Sequence, residues 1–85
     1  MKLLVFAIFD TALNAHAHPM YFQTTPLAMR SFTQEINRKD TTNQLHVNAT
    51  DFSLWQLATY DDATGEFTNE RQLIARAQDL KQTEH

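Results

Sequence analysis

The 85-residue sequence contains no cysteine, one glycine and two prolines. Without cysteine there is no disulfide staple and no Cys-ligated zinc centre, which fits a reducing compartment. So little Gly and Pro leaves no material for long flexible linkers, and it excludes the Gly-rich loops that cradle phosphates. Basic residues are scarce as well, with seven Lys and Arg against ten Asp and Glu and a formal charge of −3. A duplex-DNA binder works by neutralising phosphates with a basic face, so this chain can offer only a local basic patch. No apolar run approaches the ~20 residues that a membrane-crossing helix needs. Catalytic apparatus is missing too: there is no G-x-S-x-G elbow, no Cys nucleophile and no Ser or Thr in a His–Asp setting. An enzyme is not expected, and neither is a cofactor.

What is present is a globular composition, 42% hydrophobic with six Phe, two Tyr and one Trp. That supports one core, because chains below roughly 70–80 residues barely offset their conformational entropy. A single domain over residues 1–82 is expected, with a frayed tail at 83–85. The start of the chain imitates a secretory signal: Met1-Lys2, the apolar run Leu3 to Phe9, and Ala15-His16-Ala17 as an A-x-A cleavage site. Asn48-Ala49-Thr50 would then be a glycosylation sequon. The run sits at the ~7-residue lower limit of an h-region, and Asp10 and Asn14 interrupt the stretch before the supposed cleavage site. Val5, Phe6, Ile8 and Phe9 are β-branched or aromatic, and such a run also describes a strand buried on both faces. The strand is the reading adopted.

Patterning over the remainder gives two similar halves. Asp10 to His18 reads as a polar loop and Met20 to Thr24 as a second strand antiparallel to the first. Thr25-Pro26 supplies an N-cap and first-turn proline for a helix to about Arg38, with Met29, Phe32 and Ile36 as its apolar stripe. Lys39 to Thr50 reads as a loop. Asp51 to Tyr60 is a third strand, Asp61-Asp62-Ala63-Thr64-Gly65 a turn, and Glu66-Phe67-Thr68 the start of a return strand. Asn69 with Gln72 resembles a capping box ahead of a last helix carrying Leu73, Ile74, Ala77 and Leu80. The expected fold class is α+β: a four-stranded, mainly antiparallel sheet with two helices on one face, in the order β-β-α-β-β-α.

Two helices on one face leave the other uncovered, although strands one and three carry apolar residues on both sides. A second copy, a loop or stacked bases would have to shield it, and a homo-oligomer is the expectation. Phe52, Trp55 and Tyr60 are the candidate stacking or interface residues. Arg30, Arg38, Lys39, Arg71 and Arg76 are the candidate nucleic-acid-binding residues, an edge running across the two helices, although Glu35, Glu70 and Asp79 share those helices. His16-x-His18 with Asp10 lacks further metal-ligand spacing, and Asp61-Asp62 before Gly65 is ordinary turn chemistry, so no metal site is expected.

Val5-Phe6-Ala7-Ile8-Phe9-Asp10, Pro19-Met20-Tyr21-Phe22-Gln23-Thr24, Arg30-Ser31-Phe32 and Ile36-Asn37 resemble the small nonstructural protein of gokushoviruses, single-stranded-DNA microviruses of bacteria. Asp51-Phe52-Ser53-Leu54-Trp55-Gln56-Leu57 and Tyr60-Asp61-Asp62-Ala63-Thr64-Gly65-Glu66-Phe67 continue the resemblance in order, so that it covers residues 3 to 67. The chain departs at Asn48-Ala49-Thr50, where a Pro-Glu pair is usual, and in a longer amphipathic C-terminal helix. The resemblance implies a nonstructural protein of the infected bacterium's cytoplasm, neither secreted nor part of the virion, labelled DNA-binding and likened to the microvirus protein C. That protein acts in the switch from duplex replication to single-strand synthesis and packaging. Of the helix cations the resemblance transfers only Arg30. The partners implied are single-stranded DNA, a second copy, and a viral replication or procapsid protein, with no membrane. The alternative function is a homo-oligomeric adaptor that binds a viral or host replication protein without touching DNA.

Overall fold

The N-terminal apolar run forms β1 (Lys2–Asp10), the centre of an antiparallel sheet in a computed structural model that describes residues 1–82. The tail expected to fray at 83–85 lies outside the described residues. Along one edge of β1 lie β2 (Ala15–His16) and then β3 (Met20–Phe22), pairing with opposite ends of it. Along the other edge lies β4 (Phe52–Asp61), followed by β5 (Glu66–Arg76) at the outside. The class is α+β, as the pattern implies, but the sheet has five strands rather than four. The extra strand comes from the segment read as a loop after Asp10. Asn14 takes φ 53 there, a left-handed conformation that Asn tolerates, and the chain turns back so that His16 pairs with Phe9.

Helix α1 (Thr25–Ile36) starts where Thr24, one residue before the expected cap, accepts the Leu27 N–H on its Oγ1 at 3.4 Å, with Pro26 in the first turn. Ala28, Phe32 and Ile36 recur at helical spacing and are buried against Phe6 and Leu54 of the sheet. The helix ends two residues short of Arg38 because Asn37 turns its side chain back. Its Nδ2 donates to Thr33 O at 2.9 Å and to Leu80 O at 3.1 Å. The expected loop 39–50 contains α2 (Gln44–Val47), and a 3-10 turn (Ala49–Asp51) follows it. Asn43 before α2 is buried, and its Nδ2 donates to Glu35 O and Arg38 O at 2.8 and 3.0 Å.

The segment after the hairpin turn departs furthest from the sequence reading. Among the described residues no helix starts at Asn69, and the expected extended amphipathic helix is not formed. Instead β5 runs on to Arg76, and α3 (Ala77–Leu80) is a single turn. β4 offers a full-length hydrogen-bonding edge from Ser53 to Asp61, and this long-range pairing overrides a local helix preference worth only tenths of a kcal/mol per residue. Ile74, Ala77 and Leu80 nevertheless reach the core that the helical stripe was meant to reach. The turn itself is as read: Gly65 has φ 75 and donates to Asp61 O at 2.7 Å, while Asp61 Oδ1 accepts the Ala63 N–H at 3.0 Å. Asp62 pairs with the Met1 ammonium at 2.8 Å.

Residues of α1, α2, α3 and the 3-10 turn all join one cluster with Phe6 and Leu54. Every helical element therefore packs on the same face of the sheet. The opposite face carries none among the described residues.

Candidate functional site

Register decides which side chains share the helix-free face. Ile8 lies opposite Leu54 and both meet the core, so the alternate pairs, Ala7 with Trp55 and Phe9 with Ser53, point the other way. An irregularity between Gln56 and Ala58 of β4 shifts the alternation and returns Ala58 and Tyr60 to that face, opposite Val5 and Leu3. β5 adds Phe67 opposite Tyr60, Asn69 opposite Ala58, Leu73 opposite Trp55 and Arg76 opposite Ser53. Tyr21 of β3 joins opposite Val5, and His16 of β2 opposite Phe9.

The large side chains on this face shield the small ones. Val5, Ala7 and Ala58 are only 5%, 1% and 5% exposed without any helix above them. The cover consists of two aromatic groups. Near the hairpin turn, Tyr60 meets Tyr21 edge-on at 6.1 Å and Phe67 at 4.7 Å between ring centroids. Tyr21 and Phe67 remain 47% and 54% exposed. Toward the other end, the Arg71 guanidinium lies 4.3 Å from the Trp55 ring centroid. Its Nη1 also sits 3.3 Å from His16 Nε2, and the His16 ring packs on Phe9 at 4.7 Å. Trp55 Nε1–H donates to Ser53 Oγ at 2.9 Å, which fixes the indole plane on the sheet.

The eight candidate residues therefore separate. Trp55 and Tyr60 share the helix-free face, whereas Phe52 packs against the core on the helical side. Arg71 and Arg76 are strand residues of β5 on the Trp55 face, not helix residues. Arg30 is exposed on α1, and Arg38 and Lys39 follow that helix, so these three belong to the helical layer. The five cations do not form one edge across two helices, because the second helix on which that edge depended is a strand. Arg38 is held by carboxylates, with Nη2 at 2.7 Å from Glu35 and Nη1 at 3.1 Å from Asp40. Hydrogen bonds from Arg38 hold the Glu35 carboxyl below its usual range; Asp40 is lowered first by Thr42 and then by Arg38. Among the described residues no group of three or more His, Cys, Asp or Glu is placed to hold a metal ion. The sequence reading missed Phe9, His16, Tyr21 and Phe67 as members of the face. Period-two alternation in β1, extended to its strand neighbours, is the signal that marks them.

The family model described as Phage ORF5 protein matches residues 3–80. The chain belongs to the Phage ORF5 protein family. The match runs from within β1 to the last residue of α3, so it takes in both the sheet and the helical layer. No curated protein and no solved structure matches it. No described helix is long and apolar enough to cross a membrane.

Proposed function

We propose that this chain is a non-enzymatic, nonstructural accessory factor for single-stranded genome synthesis or packaging, acting through weak association with single-stranded DNA on its helix-free face. The observation that carries the reading is Arg71 stacked on Trp55, beside His16 and Phe9, on an open sheet surface. Unpaired bases stack on aromatic rings and on guanidinium planes, whereas duplex DNA hides its base faces. An acidic chain without a recognition helix has no evident means of reading a major groove, but a few cations beside aromatic rings can hold a flexible strand. The gokushovirus resemblance supplies the biological setting, a small bacteriophage with a single-stranded genome, and with it the host cytoplasm.

Binding of a fluorescently labelled oligothymidine at low salt tests the reading. Trp55→Leu should weaken it about tenfold, since one base–aromatic stack contributes roughly 1–3 kcal/mol. Arg71→Ala should weaken it as well, and Arg30→Ala, in the helical layer, should not. Absence of binding by the wild-type chain at low salt refutes the reading. It would favour the homo-oligomeric adaptor, which draws on the open outer edge of β5 and the net charge of −3.

A further inference from the structure

β5 ends the sheet and pairs only with β4 among the described residues. From Glu66 to Leu73 its side chains alternate between faces without interruption. Phe67, Asn69, Arg71 and Leu73 lie on the helix-free face and Glu66, Thr68, Glu70 and Gln72 on the other. All the residues from Glu66 to Gln72 are exposed. An open edge of this length is a template for another strand, and the charges along it decide which strand fits.

Two copies of β5 can pair antiparallel about a two-fold axis perpendicular to the sheet, which keeps both helix-free faces on one side. The axis must then pass beside a residue that faces its own mate. At Thr68 it would set Glu66 opposite the partner's Glu70; at Glu70 or Arg71 it would set that residue opposite itself. Like charges directly opposite are destabilising. Axes nearer either end of the segment leave only a few pairs. At Asn69 no like charges meet: Glu66 faces the partner's Gln72, Thr68 faces the partner's Glu70, and Phe67 faces the partner's Arg71.

We propose that the chain forms a reversible two-fold dimer by antiparallel β5–β5 pairing centred on Asn69. Half-exposed Phe67 then lies opposite the partner's Arg71 on the same face, where the aliphatic stem of that side chain flanks the ring while its guanidinium stays over Trp55. The Tyr21–Tyr60–Phe67 group of one copy continues into the Arg71–Trp55 group of the other. The two helix-free faces become one surface with aromatic rings and cations from both copies. A single strand pair lies below the ~1,200 Å² of a standard interface, so the dimer dissociates on dilution. The inference stands apart from the DNA reading, since it concerns the protein without nucleic acid.

The absence of cysteine makes the test clean. In the proposed register Asn69→Cys faces its own mate at a Cα separation of about 4.5–5.5 Å, within the roughly 4.4–6.8 Å that a disulfide spans. Under mild oxidation of the full-length protein at tens of micromolar, Asn69→Cys should cross-link to dimer. Thr68→Cys and Glu70→Cys should cross-link poorly alone but readily when mixed. All three positions are exposed, and circular dichroism checks that each variant keeps its fold. Equal cross-linking of all three alone, or a wild-type chain that sediments as monomer across that range, overturns the dimer. Either result leaves oligothymidine binding to be judged on its own.

Discussion

Asn37→Ala removes a side chain that ties the end of α1 to the end of α3, and the structure gives the size of the loss. The amide donates to Thr33 O and Leu80 O at 2.9 and 3.1 Å, and its Oδ1 accepts the Gln82 N–H at 2.7 Å. Each such bond contributes roughly 0.5–1.5 kcal/mol net. Water can replace part of the bonding at this half-buried site, so a total near 2 kcal/mol is expected from the lower part of that range. Against a stability of about 5–15 kcal/mol this is a large fraction, and it lowers Tm by roughly 8–16 °C in a domain of this size. Asn37→Asp keeps the acceptor for Gln82 but loses both donors, and it places a negative charge at the C-terminus of α1, where the helix dipole disfavours it. It should rescue nothing. Urea unfolding followed by circular dichroism measures both variants. An Asn37→Ala protein within about 0.5 kcal/mol of wild type, the usual range of a surface change, would refute the tie.

Phe6→Asp should abolish the cooperative melt, because Phe6 is fully buried at the centre of the core and an unpaired charge there costs several kcal/mol. Gly65→Ala meets no neighbouring atom but must hold φ 75, so urea unfolding should show a loss of about 1–2 kcal/mol from backbone strain alone. Glu35 and Asp40 are both lowered in the folded chain. Their contribution is therefore present above the ordinary carboxylate range and lost as pH falls through their lowered values. The effect is small because these groups are exposed, and Arg38→Gln should reduce the acid-side fall in Tm measured by thermal melts.

The hairpin turn, the first helix and the central strand were legible because each rests on local chemistry: Gly65 after paired Asp residues, Pro26 in a first turn, and β-branched residues in a continuous run. β5 beyond Thr68 was not. Leu73, Ile74, Ala77 and Leu80 fit a helical stripe, and only β4 as a pairing partner keeps the chain extended through Arg76, which leaves Ala77 and Leu80 in the single turn of α3. The same misreading moved Arg71 and Arg76 onto a helix and hid their proximity to Trp55. β2 was missed because two paired residues after a left-handed Asn leave almost no periodic signal. Asn37 fell within the expected helix and Asn43 within the stretch read as a loop, and nothing local reveals that Asn37 donates to Thr33 O and Leu80 O or Asn43 to Glu35 O and Arg38 O.

The single tryptophan, which is Trp55, lets the helix-free face report on itself. Unlabelled oligothymidine should quench its emission on binding, with the association constant measured across a salt series. If Arg71 and Arg76 each neutralise one phosphate, log K should fall against log salt with a slope near −1.4, about −0.7 for each contact. Arg76→Ala should bring that slope to about −0.7, while Arg30→Ala leaves it unchanged. Emission that does not respond at low salt, or a slope that falls with Arg30→Ala and not with Arg76→Ala, would contradict binding at this face.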